Sequence, residues 1–156
     1  MTDSNLLRQA MGRFATGITV VSANDKSGDD VRGVTVNAFM SLSLNPCLIA
    51  ISLRNEATMT DHLNENTHFG VSVLAENQQD YSMIFSNQLQ VDEPVKFDIL
   101  DGTPVLPGSL VQLVCEKESE VVAGDHTIYI AKVNRIEMKA DEPLIYFGGQ
   151  YRKLES

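Results

Sequence analysis

Two long alternating segments in the second half of the chain constrain the fold more than any other feature. Val111, Leu113 and Cys115 alternate with Gln112 and Glu116, the period of a strand with one apolar face. Gly124-Asp125 interrupts the pattern. The chain then returns from His126 to about Met138, with Ile128 and Ile130 on one face and Tyr129, Ala131 and Val133 on the other. Strands that follow one another across so short a turn run antiparallel, because a parallel pair needs a long crossover. A sheet built around such a pair is therefore mostly antiparallel.

Shorter segments repeat the signal. Ile18-Thr19-Val20-Val21-Ser22 is β-rich and ends at the polar turn Asn24-Asp25-Lys26-Ser27-Gly28-Asp29, after which Val31 to Val36 reads as the returning strand. Leu48 to Leu53 follows Pro46 and is apolar on both faces, which predicts a buried strand. Phe69, Val71 and Val73 alternate with Gly70 and Ser72, and Pro143 to Phe147 makes a last strand before Tyr151-Arg152-Lys153 closes the chain. Helical spacing is confined to short stretches. Leu6, Leu7, Ala10, Met11 and Phe14 share one face behind a cap at Asp3 or Ser4. Asn55 is placed to cap a helix running to about Leu63, and a third helix over Asn77 to Phe85 groups Tyr81, Ile84 and Phe85. Residues 86–108, with Pro94, Pro104 and Pro107, read as an excursion from the fold rather than a linker. Strands outnumber helices and do not alternate with them regularly, which excludes a doubly wound α/β sheet. A mainly β fold follows, a mostly antiparallel barrel with a few covering helices. At 156 residues it forms one domain over 1–156, without room for two full cores.

Charge excludes several functions. Twenty-one acidic residues against 12 basic ones leave a net charge of −9, so the chain lacks the basic face that nucleic acid requires and is repelled by anionic membrane surfaces. No signal-peptide pattern opens the sequence and no apolar run is long enough to span a bilayer, so a cytoplasmic protein is expected. Cys47 and Cys115 both sit among aliphatic residues, which predicts burial as small hydrophobes rather than a disulfide. There is no Gly-x-Gly-x-x-Gly, no Walker-type loop, no Gly-x-Ser-x-Gly elbow and no Cys-x-x-Cys pair. His62, His68 and His126 lack metal-ligand spacing, so no metal site is expected.

Three polar segments remain as candidates. Gly33 to Pro46 leaves a strand through hydroxyl, amide and small side chains. It is either a Ser/Thr-rich connection or a surface that offers main-chain groups, Thr35, Asn37 and Ser41 to the polar edge of a flat heterocycle. Leu53-Arg54-Asn55-Glu56-Ala57-Thr58 is either an ordinary capped surface helix or a phosphate site with a cation and a hydroxyl at a helix start, whose local field Glu56 and Asp61 weaken. Gly124-Asp125-His126-Thr127 is either a tight turn or a polar rim to a binding site.

In their order along the chain these segments resemble a known family. Arg8-Gln9-Ala10-Met11-Gly12-Arg13-Phe14-Ala15-Thr16-Gly17-Ile18-Thr19-Val20-Val21 looks like the opening of the flavin reductase-like family with the FMN-binding split barrel. Thr35-Val36-Asn37-Ala38-Phe39-Met40-Ser41-Leu42-Ser43-Leu44-Asn45-Pro46 resembles that family's flavin loop. Phe69 to Leu74, Gly124 to Tyr129 and Glu142 to Tyr151 are similar to later family segments. The resemblance spans nearly the whole chain. Ala38 departs from it, standing where many members carry serine, and the chain has no tryptophan where members often have one after Asp98.

The resemblance implies a six-stranded antiparallel split barrel of Greek-key type, a homodimer with flavin near the interface. It implies an NAD(P)H:flavin oxidoreductase that passes hydride from NADH or NADPH to FMN or FAD and supplies reduced flavin to a partner monooxygenase. Carried over by position, Thr35, Val36, Asn37 and Ala38 would line the isoalloxazine, and Met40 and Ser41 would border the ribityl chain. Arg54 and Thr58 would lie near the phosphate, and Phe85 would pack against the flavin. His126, the one candidate for a role in the hydride step, would border the nicotinamide with Tyr151. A flavin- or haem-binding split-barrel carrier or sensor without turnover is the alternative, and a purely structural β-domain a third.

Overall fold

The long hairpin read from the sequence forms the middle of the molecule. The structure, a computed structural model, describes residues 3–25, 27–28 and 30–155. The chain runs through α1 (Ser4–Gly12), β1 (Thr16–Gly17), β2 (Thr19–Asn24), β3 (Val31–Val36), β4 (Phe39–Leu44), β5 (Cys47–Arg54), α2 (Thr58–Glu65) and β6 (His68–Val73). A 3-10 turn at Glu76–Gln78 leads into α3 (Gln79–Ile84). Then follow β7 (Asp98–Leu100), β8 (Thr103–Val105), β9 (Val111–Ala123), β10 (His126–Met138), β11 (Ile145–Phe147) and β12 (Gln150–Arg152).

Seven strands pair in the order β3-β2-β6-β9-β10-β5-β4, while β1-β11-β12 and β7-β8 form two small sheets. Every pairing is antiparallel. The β9–β10 ladder extends from Met138↔Val111 to His126↔Ala123, with register shifts at Ile130/Ala131 and Val133/Arg135 that bend the ribbon. Six strands were expected and the sheet has seven. The seventh is β4, which the sequence presents as part of a loop but which pairs with β5 from Phe39↔Ile51 to Leu44↔Cys47. An edge strand tolerates serines on its exposed face, so its composition imitates a connection. Among the described residues the edge strands β3 and β4 do not pair with each other.

The sheet nevertheless curls around one core. Val36 of β3 and Ile49, Ile51 and Leu53 of β5, from distant positions in the ladder, join Phe69, Val71, Leu113, Cys115, Tyr129 and Ala131 in one buried cluster. Met59 and Leu63 of α2 complete it, and full burial of such an aliphatic side chain contributes about 1.5–3 kcal/mol. Alternation along β2 sends Val21 and Ala23 into this cluster. It sends Val20 into a second one with Leu74, Leu106, Leu144 and Ile18, which precedes the strand.

The expected cap of α1 is present, and two local expectations are corrected. The Asp3 carboxylate caps α1 by accepting the Asn5 N–H at 2.9 Å, but no α1 residue is buried, and Phe14 lies 75% exposed beyond its end. Helix α2 begins at Thr58 with Ala57 at its cap position, not at Asn55, because the Asn55 side chain is engaged elsewhere. Of the cysteines, both free, only Cys115 is buried; Cys47 is exposed at the start of β5. Burial pushes the Cys115 thiol up to about 12. The excursion at 86–108 contains the small β7–β8 hairpin. Among the described residues no helix is long and apolar enough to cross a membrane.

Close approach of the β7–β8 hairpin to the main sheet depends on Gly70. A Cβ there would fall on the Pro104 carbonyl and within 2.9 Å of Val105 Cγ1, while the Ser22 hydroxyl donates to the same carbonyl at 2.6 Å. Gly70→Ala is expected to cost about 3 kcal/mol, the overpacking range for a filled core. A fall in the urea midpoint at unchanged slope would show it; an unchanged midpoint would refute this packing.

Candidate functional site

The link from β3 to β4 is where main-chain groups come free. The Val36 carbonyl accepts the Thr19 hydroxyl at 2.7 Å, and the Val36 side chain lies in the core. The chain then turns sharply: Phe39 N–H donates to the Asn37 carbonyl at 3.0 Å, and Ser52 N–H to the Ala38 carbonyl at 3.0 Å. Asn37 and Ala38 are exposed. Among the described residues nothing accepts a hydrogen bond from either of their own N–H groups. The turn is therefore anchored through its carbonyls and presents its donors outward.

Asn37, Ala38 and Met40 border an apolar cavity of about 790 Å³ whose walls include Phe14, Ile18, Ile51 and Ile128. Thr16 also lines it, and its hydroxyl oxygen is buried without a partner among the described residues. A second cavity of about 610 Å³ brings Thr35, Arg54, Thr58 and Phe85 together. A smaller one of about 160 Å³ is lined by Ile18, Thr35, Asn37, Ser86 and Tyr151. It shares Ile18 and Asn37 with the apolar cavity and Thr35 and Ser86 with the other, so the three adjoin. Of the expected residues, Val36, Ser41 and His126 line none of the three. Val36 faces the core, and Ser41 is an exposed residue of the edge strand β4.

The central stretch is held by a short relay. Thr35 Oγ1 donates to the Ser82 carbonyl at 2.7 Å, and the Ser82 and Tyr151 hydroxyls are 2.8 Å apart. Tyr151 meets Tyr146 edge-on with ring centroids 5.4 Å apart. The Thr35 N–H donates to the Phe85 carbonyl at 3.1 Å, and the Phe85 ring lies on Gly33, where a Cβ would come within 2.7 Å of it. Gly33 and Ser82 were not singled out from sequence. A glycine within a β-branched run was the available signal for Gly33; Ser82 carries none, because only the fold brings α3 beside β12.

His126 begins β10 and stands directly across the ladder from Arg54 on β5. Its Nδ1 lies 2.8 Å from Asp125 Oδ1, while Arg54 reaches Glu56 at 3.7 Å with both side chains exposed. The hydrogen bond and charge of His126 hold the Asp125 carboxyl below its ordinary range, with a smaller contribution from Arg54. The contact thus persists through neutral pH on the carboxylate's side and is lost as pH falls through that depressed value. The Asp125 carboxyl carbon is expected to titrate below the ordinary aspartate value in an NMR pH series and to move upward in His126→Ala. An unchanged titration in that variant would disprove the coupling.

Comparison with known proteins accords with this geometry. The family described as "Flavin reductase like domain" matches residues 11–155. An NADH-dependent flavin reductase from a Rhodococcus species is 37% identical over 150 residues, covering 96% of this chain and 85% of the relative. The solved structure of the flavin reductase PheA2 in its native state has a TM-score of 0.95 at 39% identity, covering 99% of this chain and all of that one. The styrene monooxygenase flavin reductase from Pseudomonas putida S12 gives 0.89 at 40% identity, covering 96% and 97%. With the match extending over nearly its whole length, the chain belongs to the flavin reductase-like domain family.

Proposed function

We propose that this chain is an NAD(P)H-dependent flavin reductase that moves hydride from a nicotinamide to FMN or FAD and supplies the reduced flavin to a partner monooxygenase. The observation that carries this reading is the junction of two unpartnered amides, at Asn37 and Ala38, with an apolar cavity of about 790 Å³ that holds the unpartnered Thr16 hydroxyl. A flat heterocycle with an apolar body and a polar rim fits such a junction. When bound, flavin would supply the redox chemistry as the acceptor of hydride from the nicotinamide.

The chain's own residues then bind and orient. The Asn37 and Ala38 amides would donate to the pyrimidine edge, where fixed donors stabilise the negative charge of the reduced ring. Thr35 has both its hydroxyl proton and its N–H engaged, so it would contribute a lone pair and hold Phe85 and α3 in place. Val36 would act through its main chain, which fixes the turn. Met40 would cover the ring or its ribityl side, and Ser41 would reach the ribityl chain from the neighbouring strand. Arg54, Thr58 and the start of α2 would hold phosphate, with Phe85 and Tyr151 bordering the ring. His126 would orient the nicotinamide, because hydride transfer demands stacking within reach rather than a strong base.

The same proposal extends to assembly. Leu6, Leu7 and Met11 of α1, Phe14, and Met40, Leu42 and Leu44 of β4 are exposed, and Met11, Phe14 and Met40 border the apolar cavity. An apolar surface continuous with a binding cavity supports a homodimer that covers both. We take β2, β3, β5, β6, β9 and β10 as the six strands of the split barrel, with β4 added at its edge. The unit is one domain over 1–156, and two unpaired cysteines support a cytoplasmic setting. The Rhodococcus relative's name favours NADH as donor, and the styrene monooxygenase relative's supports a two-component partnership.

The test is oxidation of NADH and NADPH with FMN, FAD or riboflavin. Turnover that rises with free flavin is expected; tight flavin uptake without oxidation would favour a carrier instead. Arg54→Ala should raise the KM for FMN or FAD about ten-fold, the low end for a charge-assisted contact at an exposed side chain. It should leave riboflavin, which has no phosphate, unaffected. Equal effects on all three flavins would remove Arg54 from the phosphate.

A further inference from the structure

The turn that carries His126 is fastened from outside its own hairpin. The ladders of β10 end at His126, paired with Ala123 on one side and Arg54 on the other, so Gly124 and Asp125 project beyond them. Asn55 holds this tip with three hydrogen bonds. Its N–H donates to the Asp125 carbonyl at 2.9 Å, its Nδ2 donates to the Gly124 carbonyl at 3.3 Å, and its Oδ1 accepts the Thr127 hydroxyl at 2.6 Å. Thr127 is itself buried, so the latch is rooted in the sheet.

The side-chain chemistry is specific. An asparagine carries a donor and an acceptor on one short arm, and here both are used, one on the turn and the other on the strand that follows it. Aspartate would lose the donor to Gly124. Alanine would lose both side-chain bonds while keeping the main-chain bond to Asp125. The usual explanation for a polar residue just before a helix, an N-cap, does not apply, since α2 starts at Thr58 and has no side-chain cap bond.

We propose that Asn55 is a positioning residue for His126. It fixes the Gly124-Asp125 tip, the tip sets the main-chain position from which the Asp125 carboxylate extends, and that carboxylate lies 2.8 Å from the His126 Nδ1. Because Asn55 follows Arg54 directly in the chain, the same latch ties the phosphate-side strand to the nicotinamide-side turn. The inference rests on the reading that His126 borders the nicotinamide.

The experiment measures steady-state kinetics of the full chain with saturating FMN or FAD and varied NADH, and with saturating NADH and varied flavin, in His126→Ala, Asn55→Ala, Thr127→Val, Thr127→Ser and the double variant Asn55→Ala/His126→Ala. Asn55→Ala and Thr127→Val are expected to raise the KM for NADH about five-fold, the effect of one or two neutral hydrogen bonds. The kcat and the KM for flavin should stay within about two-fold on the same scale. Thr127→Ser, which keeps the hydroxyl, should restore the NADH value, and the double variant should be no worse than His126→Ala, since both act through one group. An unchanged NADH KM in Asn55→Ala and Thr127→Val, or a double variant that multiplies the two single effects, would overturn the inference while His126→Ala still shows its own defect. If His126→Ala leaves NADH kinetics unaltered, the reading of His126 falls, and the role of Asn55 with it. Thr127→Val exchanges like-sized side chains, so the comparison holds even where Asn55→Ala does not fold.

Discussion

The register between β5 and β10 is the constraint on which both the core and the site depend. Seven consecutive pairs, from His126↔Arg54 to Lys132↔Leu48, lock the two strands together. Because strand side chains alternate, a slip of one residue would turn Tyr129 and Ala131 out of the core and bring Ile128 and Ile130 in. The same slip would separate His126 from Arg54. Core packing therefore sets the spacing of two polar residues that make no contribution to the core. Tyr129, the largest fully buried side chain, and Ile51 opposite it are as responsible for that spacing as any group at the rim.

Electrostatics act on a shorter scale than the net charge. A protein of charge −9 repels anions at long range, yet ionic screening confines that repulsion to roughly 8–10 Å in physiological salt. Within that distance the local arrangement decides. Arg54 stands near the start of α2, where main-chain donors and the helix dipole favour an anion, while Glu56 at 3.7 Å partly neutralises it. The outcome is a modest cationic spot on an acidic molecule. Such a site suits a phosphorylated ligand that must leave again after reaction, because tight capture would oppose release.

The sequence disclosed the fold most clearly where one face of a strand is buried and the other wet. The β9–β10 hairpin was legible because Leu113 and Cys115, then Tyr129 and Ala131, repeat at the strand period inside the core. Strand β4 was not, since its serines lie on an exposed edge and its apolar Met40, Leu42 and Leu44 meet no core. The start of α2 was misplaced because Asn55 has the composition of a cap but spends its side chain on Gly124 and Thr127, partners about 70 residues away that no local pattern reveals. Among the candidate site residues, Asn37 and Ala38 were named by motif alone, while the structure adds that among the described residues their amides have no partners. Gly33 and Ser82 matter through Phe85 and Tyr151, and contacts of that kind exist only once the chain has folded.

The apolar cavity and the exposed surface beside it have a common physical origin. The 156 residues here curl one sheet around a core, and little of them is left over to wall a cavity of about 790 Å³. The walls that it does supply come from the sheet, at Ile51 and Ile128, and from the segment after α1, at Phe14 and Thr16. Yet Phe14 is 75% and Leu44 86% exposed, far more than their apolar character favours in water. Deleting that surface would remove the cavity's border, and polar replacements would wet it. Retaining it exposed in a lone chain would leave an unfavourable hydration free energy. The proposed homodimer would resolve the conflict without lengthening the chain, since one contact would dry the surface of α1 and close the open side of the cavity at once.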